Sequence, residues 1–480
     1  MNVLLLHLPL ARRSYLSFFA LPEPLAAIFL APVLRERHAV RFVDLRLERS
    51  LARGLGGFRP DAAVVGVNPL TLPVLGPTLA ELRVRFPALR ILLHAEAEYG
   101  NSHVSERPLD FVHPLADALV QPYFFARLRE IVPATLAAWA DGRALDDVPG
   151  LWVRDADGAF RPTESAPNVL GPIGVPDRTV LGRARGRYRF SGIGRMAHVF
   201  YTYGCRFKCR FCPMSKHDGS VSARPVGEVL EELAALSEPH VYLEDYEPFL
   251  APEAMDELAD AVERAGIKKR WYMLTRADSA LAQRERIARW KRLGLSWIYL
   301  GLDGSSVGRL KEIKKSCTPE TNEAAVRAMQ SLGLAVHAGF VVPPSYTRED
   351  FAALRAYVKR LPARLVAFTV ETPLVGTKLF DDTEAALTSR DWSLQDLEHA
   401  LLPTVLPLPE FYREMARLNF GSGLRTGPTM LRHYPLRDVA RLWALGPLAI
   451  TSLLRAARDH GQPPAGRQAR EVRPATTGSG

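Results

Sequence analysis

Three thiols stand close together in the segment CRFKCRFC, at Cys205, Cys209 and Cys212, in a chain of 480 residues with four cysteines in all. Thiolates are the ligands of iron–sulfur clusters, and this spacing lets one loop wrap three corners of a cubic 4Fe–4S cluster. Three protein ligands leave one iron open, and an open iron can chelate the amino and carboxylate groups of a bound methionine moiety. The competing reading is a structural zinc site, which needs four closed ligands, with Cys317 or His217 as the fourth. Neither pairs with the trio in zinc-finger spacing. So few cysteines make no disulfide scaffold, and three within one short loop point to a metal held in a reducing cytoplasm.

The loop must be carried by the strand before it. From Ala197 onward, apolar strand candidates AHVFYTY, VYLED, RWYMLT, WIYLGL, AVHAGFVV and RLVAFTVE alternate with amphipathic helices. These six repeats predict a partial TIM-like (β/α)6 barrel over residues 191–385, with its chemistry at the carboxyl ends of the strands. The cysteines fall just after the first strand. Residues 1–145 show the same alternation in VLLLHL, AVRFVDL, AAVVGV and RILLHA, which predicts an α/β, doubly wound, Rossmann-like parallel sheet. Pro9, Asp44, Asn68 and His94 stand at its strand ends, where such sheets bind ligands. Residues 146–190, with the hairpin-like LWVRDADGAF turning at Asp157 and Gly158, read as a linker. Residues 386–460 read as a small helical domain, and 461–480 as a disordered tail too poor in apolar residues to pack.

Composition sets the bounds. With 47% hydrophobic and 24% charged residues the chain can bury a sizeable core. Lysine and arginine exceed aspartate and glutamate by 62 to 52, but diffusely, so the surplus reads as solvated surface and no nucleic-acid partner is expected. A zinc-stabilised nucleic-acid binder is the remote alternative. The opening MNVLLLHLPLARR reads as a buried first strand. Pro22, Glu23, Pro24 and Pro32 break Leu16–Leu34 well short of the roughly 20 apolar residues of a membrane span. The amphipathic stretch Arg437–Arg458 could rest on a membrane as a peripheral contact, with Gly446 and Pro447 interrupting it.

The cysteine loop, with aromatic Phe211 before its third thiol, resembles the signature of the radical S-adenosylmethionine (SAM) superfamily, and the resemblance covers residues from about Arg195 to Asp382. It implies that an electron from the cluster cleaves SAM to methionine and a 5′-deoxyadenosyl radical, which removes hydrogen from substrate. Further positions resemble the family's SAM contacts. Glu244, Asp245 and Glu247 in LEDYEPF suit the amino group or ribose hydroxyls. Arg276 in TRAD, with Asp278 beside it, suits the methionine carboxylate. Asp303 stands where relatives often carry glutamate, Val341 lies in FVVPP on the adenine side, and TPLVGT looks like a closing loop. Phe211 joins these SAM contacts, and Glu244, Asp245 and Tyr203 are the candidate catalytic residues.

A parallel-sheet domain placed before such a cluster domain resembles the cobalamin-binding branch of that superfamily, the class B radical SAM methyltransferases. The resemblance puts cobalamin against Pro9, Pro22, Glu23, Asn68, Leu70, Thr71 and His94. No Asp-x-His-x-x-Gly motif exists here, so cobalt would lack a histidine ligand. HAEAEYG and LVQPYF stand where relatives tend to show a glycine pair and a Gly-Glu pair. The implied reaction moves a methyl group from SAM, via methylcobalamin, to an unactivated carbon. The stretch LLPTVLPLPEFY resembles the tail of hopanoid C-3 methylases within this branch, which points to a natural-product or lipid-like small-molecule acceptor. An external donor such as flavodoxin or ferredoxin, and a monomer or small homo-oligomer, complete the expectation. The alternative enzyme is a non-methylating radical cyclase or isomerase. A methylthiotransferase is disfavoured, because no cysteine precedes Cys205. Cys317 reads as a buried structural thiol.

Overall fold

The computed structural model describes residues 1–12, 14–96, 106–121, 125–165, 172–433 and 435–460. The expected tail at 461–480, most of HAEAEYG and the end of LVQPYF lie outside them.

Five parallel strands open the chain: β1 (Asn2–His7), β2 (Ala39–Asp44), β3 (Ala62–Val67), β4 (Arg90–Ala95) and β5 (Ala118–Val120), in the order β2-β1-β3-β4-β5. Helices cover both faces, which is why runs such as AAVVGV are apolar at every position and buried throughout. Leu25–Arg35 and Phe125–Ala140 pack one face, and Leu72–Arg85 packs the other. The strand order reverses between β1 and β3, and in this topology a ligand crevice opens at that switch point.

The segment read as a linker is in part a piece of this sheet. Strands β6 (Leu151–Arg154) and β7 (Phe160–Pro162) form the expected hairpin, turning at Gly158 with φ +85°, and extend the sheet beyond β5 in antiparallel fashion. Leu151 and Val153 alternate inward, so the hairpin buries one side on the first lobe.

The second sheet has six parallel strands in sequential order: β8 (Met196–Val199), β9 (His240–Leu243), β10 (Arg270–Arg276), β11 (Leu295–Asp303), β12 (Ala335–Val342) and β13 (Leu365–Val370). Amphipathic helices Pro252–Arg264, Pro319–Ser331 and Arg348–Arg360 cover its outer face through Leu258, Val326 and Leu354. The last two start from side-chain caps at Thr318 and Thr347. AHVFYTY does not run as one strand. After Val199 the chain leaves the sheet, and Thr202–Gly204 pairs antiparallel with Val221–Ala223, a ribbon that closes the cysteine loop.

Helices Leu408–His433 and Leu436–Asp459 pack on one another and complete the molecule. Gly446 and Pro447 do not interrupt the second of these. Pro447 lies on its exposed side, where solvent can take up the carbonyls that its ring leaves without a donor. Among the described residues no helix is long and apolar enough to cross a membrane.

Candidate active site

The cysteine loop closes at Gly204. Its φ is +113°, and a Cβ there would meet the Ser220 carbonyl oxygen at 2.0 Å, so glycine alone lets the ribbon close. Inside the loop, Cys212 N donates to Cys209 O at 3.0 Å and Ser215 N to Cys212 O at 2.9 Å. The loop is clamped from outside at Arg210, whose N–H donates to Ile313 O at 3.1 Å and whose guanidinium reaches Asp382 at 3.0 Å. Cys205, Cys209 and Cys212 are free and line one cavity. Burial raises the pKa of all three, Cys212 to about 12, so iron would have to displace their protons on binding. Among the described residues no group of three His, Cys, Asp or Glu forms a site for a single metal ion. The three thiols line one shared cavity, and thiolates are the donor set that an iron–sulfur cluster takes. Cys317 is buried outside the cavity wall, while His217 faces the cavity.

Arg276 sits over this loop. Its guanidinium donates to Cys209 Sγ at 3.1 Å, lies 3.8 Å from the centre of the Phe207 ring, and holds Asp278 in two bonds of 2.9 and 2.7 Å. Its fork is thus committed to Asp278 and the thiol, where the sequence reading offered it to a methionine carboxylate.

The acids of LEDYEPF divide the work. Asp245, 2% exposed, accepts from Tyr201 N (2.9 Å), Thr202 N (2.8 Å) and the Thr202 hydroxyl (2.7 Å), so it braces the strand entering the loop. Glu247 accepts from the Thr275 hydroxyl (2.5 Å) and Arg276 N (2.8 Å), bracing β10. Burial pushes both carboxyls up to about 7 against these hydrogen bonds. Glu244 is partly exposed to the cavity, with His198 Nδ1 2.8 Å from its carboxylate. Tyr203, edge-on to Tyr246 and His217, also lines the cavity, as do Phe211 and Val341. Asp303, at φ +60° on a bulge ending β11, is paired with Lys315, so its carboxylate is not a lone acceptor. Lys315 went unnoticed in the sequence, since no motif ties it to a residue twelve positions earlier.

The opposite wall is the switch point of the first sheet. The cavity, about 1240 Å³, is lined there by Pro9 and Leu10 after β1, Leu45 and Arg46 after β2, and Pro69 and Leu70 after β3, with Pro22 nearby. Asn68, Thr71, Glu23 and His94 do not line it, contrary to the sequence reading. Asn68 and Thr71 cap the short turn Pro69–Thr71, and Asn68 Nδ2 donates to buried Glu96 at 2.5 Å, so their polar atoms are spent on shaping the loop that presents Leu70. Glu96 is also 2.7 Å from His7 Nδ1. Glu23 is fully buried; it binds Arg178 at 3.0 Å and accepts from His198 N at 2.8 Å. Arg178 in turn reaches Glu232 at 2.9 Å, riveting the lobes together. His94 is buried with Nδ1 3.0 Å from the Ala95 carbonyl oxygen. Arg178 was missed because its partners are remote in sequence.

The barrel end of the cavity is aromatic: Phe190 stacks on Tyr242 at 4.3 Å, and Tyr299 stands beside them. Leu445 and Leu448 of the last helix complete this end.

Comparison with known proteins agrees with this architecture. The hopanoid C-3 methylase of Methylococcus capsulatus is 28% identical across 84% of this chain and 77% of its own length. An uncharacterized methyltransferase of Pyrococcus horikoshii is 26% identical over 82% of this chain and 84% of its own. Among solved structures, the cobalamin-dependent SAM radical enzyme OxsB, with aqua-cobalamin and SAM bound, superposes with a TM-score of 0.66 at 17% identity, covering 94% of this chain and 71% of its own. The radical SAM methyltransferase TsrM from Kitasatospora setae, with cobalamin and a 4Fe–4S cluster bound, gives 0.59 at 17% identity over 81% and 76% of the two chains. The family model of the Radical SAM superfamily matches residues 199–358, the stretch that holds the cysteine loop and four of the barrel strands that follow β8. With three free thiols on one cavity at the carboxyl end of its second sheet, the chain carries a stretch, residues 199–358, that matches the Radical SAM superfamily model.

Proposed function

We propose that this enzyme is a cobalamin-dependent radical SAM C-methyltransferase acting on an apolar, natural-product or lipid-like small molecule. The observation that carries the reading is the single cavity shared by two unlike walls, thiols and ion pairs on one side and the switch point of a parallel sheet on the other. The hopanoid methylase, OxsB and TsrM likenesses support it. When bound, the cluster, SAM and cobalamin supply a hydrogen-abstracting radical and a methyl group.

The chain's own residues do the rest. Cys205, Cys209 and Cys212 hold the cluster, and Arg276 offsets thiolate charge at Cys209. Of the acids that line the cavity, Glu244 is the one paired with His198, and it is the candidate for the SAM amino group or ribose. Pro9, Pro22, Pro69 and Leu70 would offer a broad apolar face to a flat macrocycle, and among the described residues of that lobe no histidine lines the cavity. Phe190, Tyr242 and Tyr299 form an apolar, aromatic end for the acceptor and exclude water there. In this reading residues 1–165 form the cobalamin lobe, 191–385 the SAM lobe and 386–460 a helical cover. A flavodoxin or ferredoxin supplies electrons in a reducing cytoplasm.

The test is anaerobic reconstitution with iron, sulfide and hydroxocobalamin, then incubation with methyl-labelled SAM and candidate apolar acceptors. Bound iron and cobalt with label in the acceptor support the reading; iron without cobalt overturns it. A likeness to the anaerobic magnesium-protoporphyrin IX monomethyl ester cyclase of Cereibacter sphaeroides, 25% identical over 73% of this chain and 57% of its own, favours a second reading as a cyclase. Product formation without label transfer would select it.

A further inference from the structure

The helix Leu436–Asp459 has two apolar sides. Val439, Leu442, Leu453 and Ala456 are buried on one. On the other, at helical spacing, Leu436 (73% exposed), Trp443 (64%) and Leu454 (41%) face solvent, with Pro447 among them. The charges at the edge of this outward side are of one sign. Arg437, Arg455 and Arg458 are exposed, whereas Asp438 is buried against Gly194 N at 3.2 Å and Asp459 is engaged by Arg12 at 3.2 Å. Residues 461–480 contain no Leu, Ile, Met, Phe, Tyr or Trp, and carry Arg467, Arg470 and Arg473 against a single acid, Glu471. Leu445 and Leu448 of the same helix line the large cavity, so the cavity opens beside the outward face.

We propose that this face docks on an anionic phospholipid bilayer, with its arginines at the headgroups, and that the cavity mouth beside it admits an apolar substrate resident in that bilayer. The docking stands on the exposed face and its charges; the substrate class rests on the methyl-transfer reading. A helix with a large apolar outward face and basic flanks lies in the interface plane without crossing it, and anionic lipid adds attraction for each arginine near the surface.

The reconstituted full chain is sedimented with vesicles of phosphatidylcholine alone and of phosphatidylcholine mixed with phosphatidylglycerol. Docking is expected on the mixed vesicles, several-fold weaker on the neutral ones, and roughly tenfold weaker for a double variant Trp443→Ser, Leu454→Ser. Both substitutions face solvent, and unchanged iron content and melting temperature show that the variant is folded. Wild-type protein that stays in the supernatant, or a variant that pellets as well as wild type, overturns the proposal. So does a wild-type dimer that the variant turns into monomer, since a second copy would then cover the face. The assay reads no methyl transfer. A failure here leaves the proposed reaction standing, and a failure of label transfer leaves the docking standing.

Discussion

Two parallel sheets meet at one cavity with opposite chemistry. On the barrel side, strand ends present thiols, Glu244, Arg276 and the Asp303–Lys315 pair. On the first-lobe side, corresponding strand ends present Pro9, Leu10, Leu45, Pro69 and Leu70 with Arg46 as the charged exception, while the polar neighbours Asn68, Thr71 and Glu96 are turned under the surface and bonded to each other. Charged, directional groups suit small ionic ligands such as a cluster or an amino acid moiety. A rigid wall of proline and leucine suits a large flat ligand, recognised by shape and desolvation. The same topology therefore serves two kinds of ligand, and the difference lies in which residues of each turn face out.

The sharpest way to break this comparison is Cys209→Ala. Iron per chain should fall to near zero by metal analysis, while cobalamin retained after desalting should be unchanged; loss of both would mean that the walls are not independent. Next is the rivet between them. Arg178→Met would leave Glu23 in the interior without its cation, while Glu232 keeps Arg224 at 2.8 Å, and an uncompensated buried charge costs about 3–5 kcal/mol. Urea unfolding should register that loss, and both cofactors should bind less.

A subtler change addresses one wall. Leu70→Glu places a carboxylate on the apolar face, and cobalamin affinity, measured by spectral titration, should fall by roughly tenfold with iron retained. The last expected effect leaves both cofactors bound and shows only in pH dependence. Burial raises the Asp245 carboxyl from 3.8 to about 7, so the folded protein keeps a proton that the unfolded chain releases. Its contribution to stability is full below pH 3.8 and is lost as pH rises towards about 7. Asp245→Asn should flatten the stability profile across that window, and a profile as steep as wild type would refute the assignment.

Much of this molecule could be read along the chain. RWYMLT became β10 and AAVVGV became β3, because a buried parallel strand needs a continuous apolar run whatever its neighbours are. The three cysteines were legible for a different reason: a cluster demands three thiols within one loop's reach, and that demand is local. The apolar wall was legible only in outline. Asn68, Thr71 and His94 sit at strand ends, as sequence patterns indicated, but which of a turn's residues faces the cavity depends on capping bonds that the pattern does not record. Helix Leu436–Asp459 was read as broken at Gly446–Pro447, and it is continuous because the proline sits on its outer side.

By itself, then, the sequence determined the alternation of strands and helices, the parallel-sheet class, and the cluster loop, all of which depend on residues near one another in the chain. Tertiary structure alone decided the strand order that creates the switch point, the Glu23–Arg178–Glu232 bridge, the pairing of Arg276 with Cys209, and the joining of two strand-end surfaces into one cavity. The physical reason is range. Hydrophobic periodicity and turn chemistry act over a few residues, whereas these buried ion pairs and the cavity are made by groups more than fifty positions apart that become neighbours only when the chain packs.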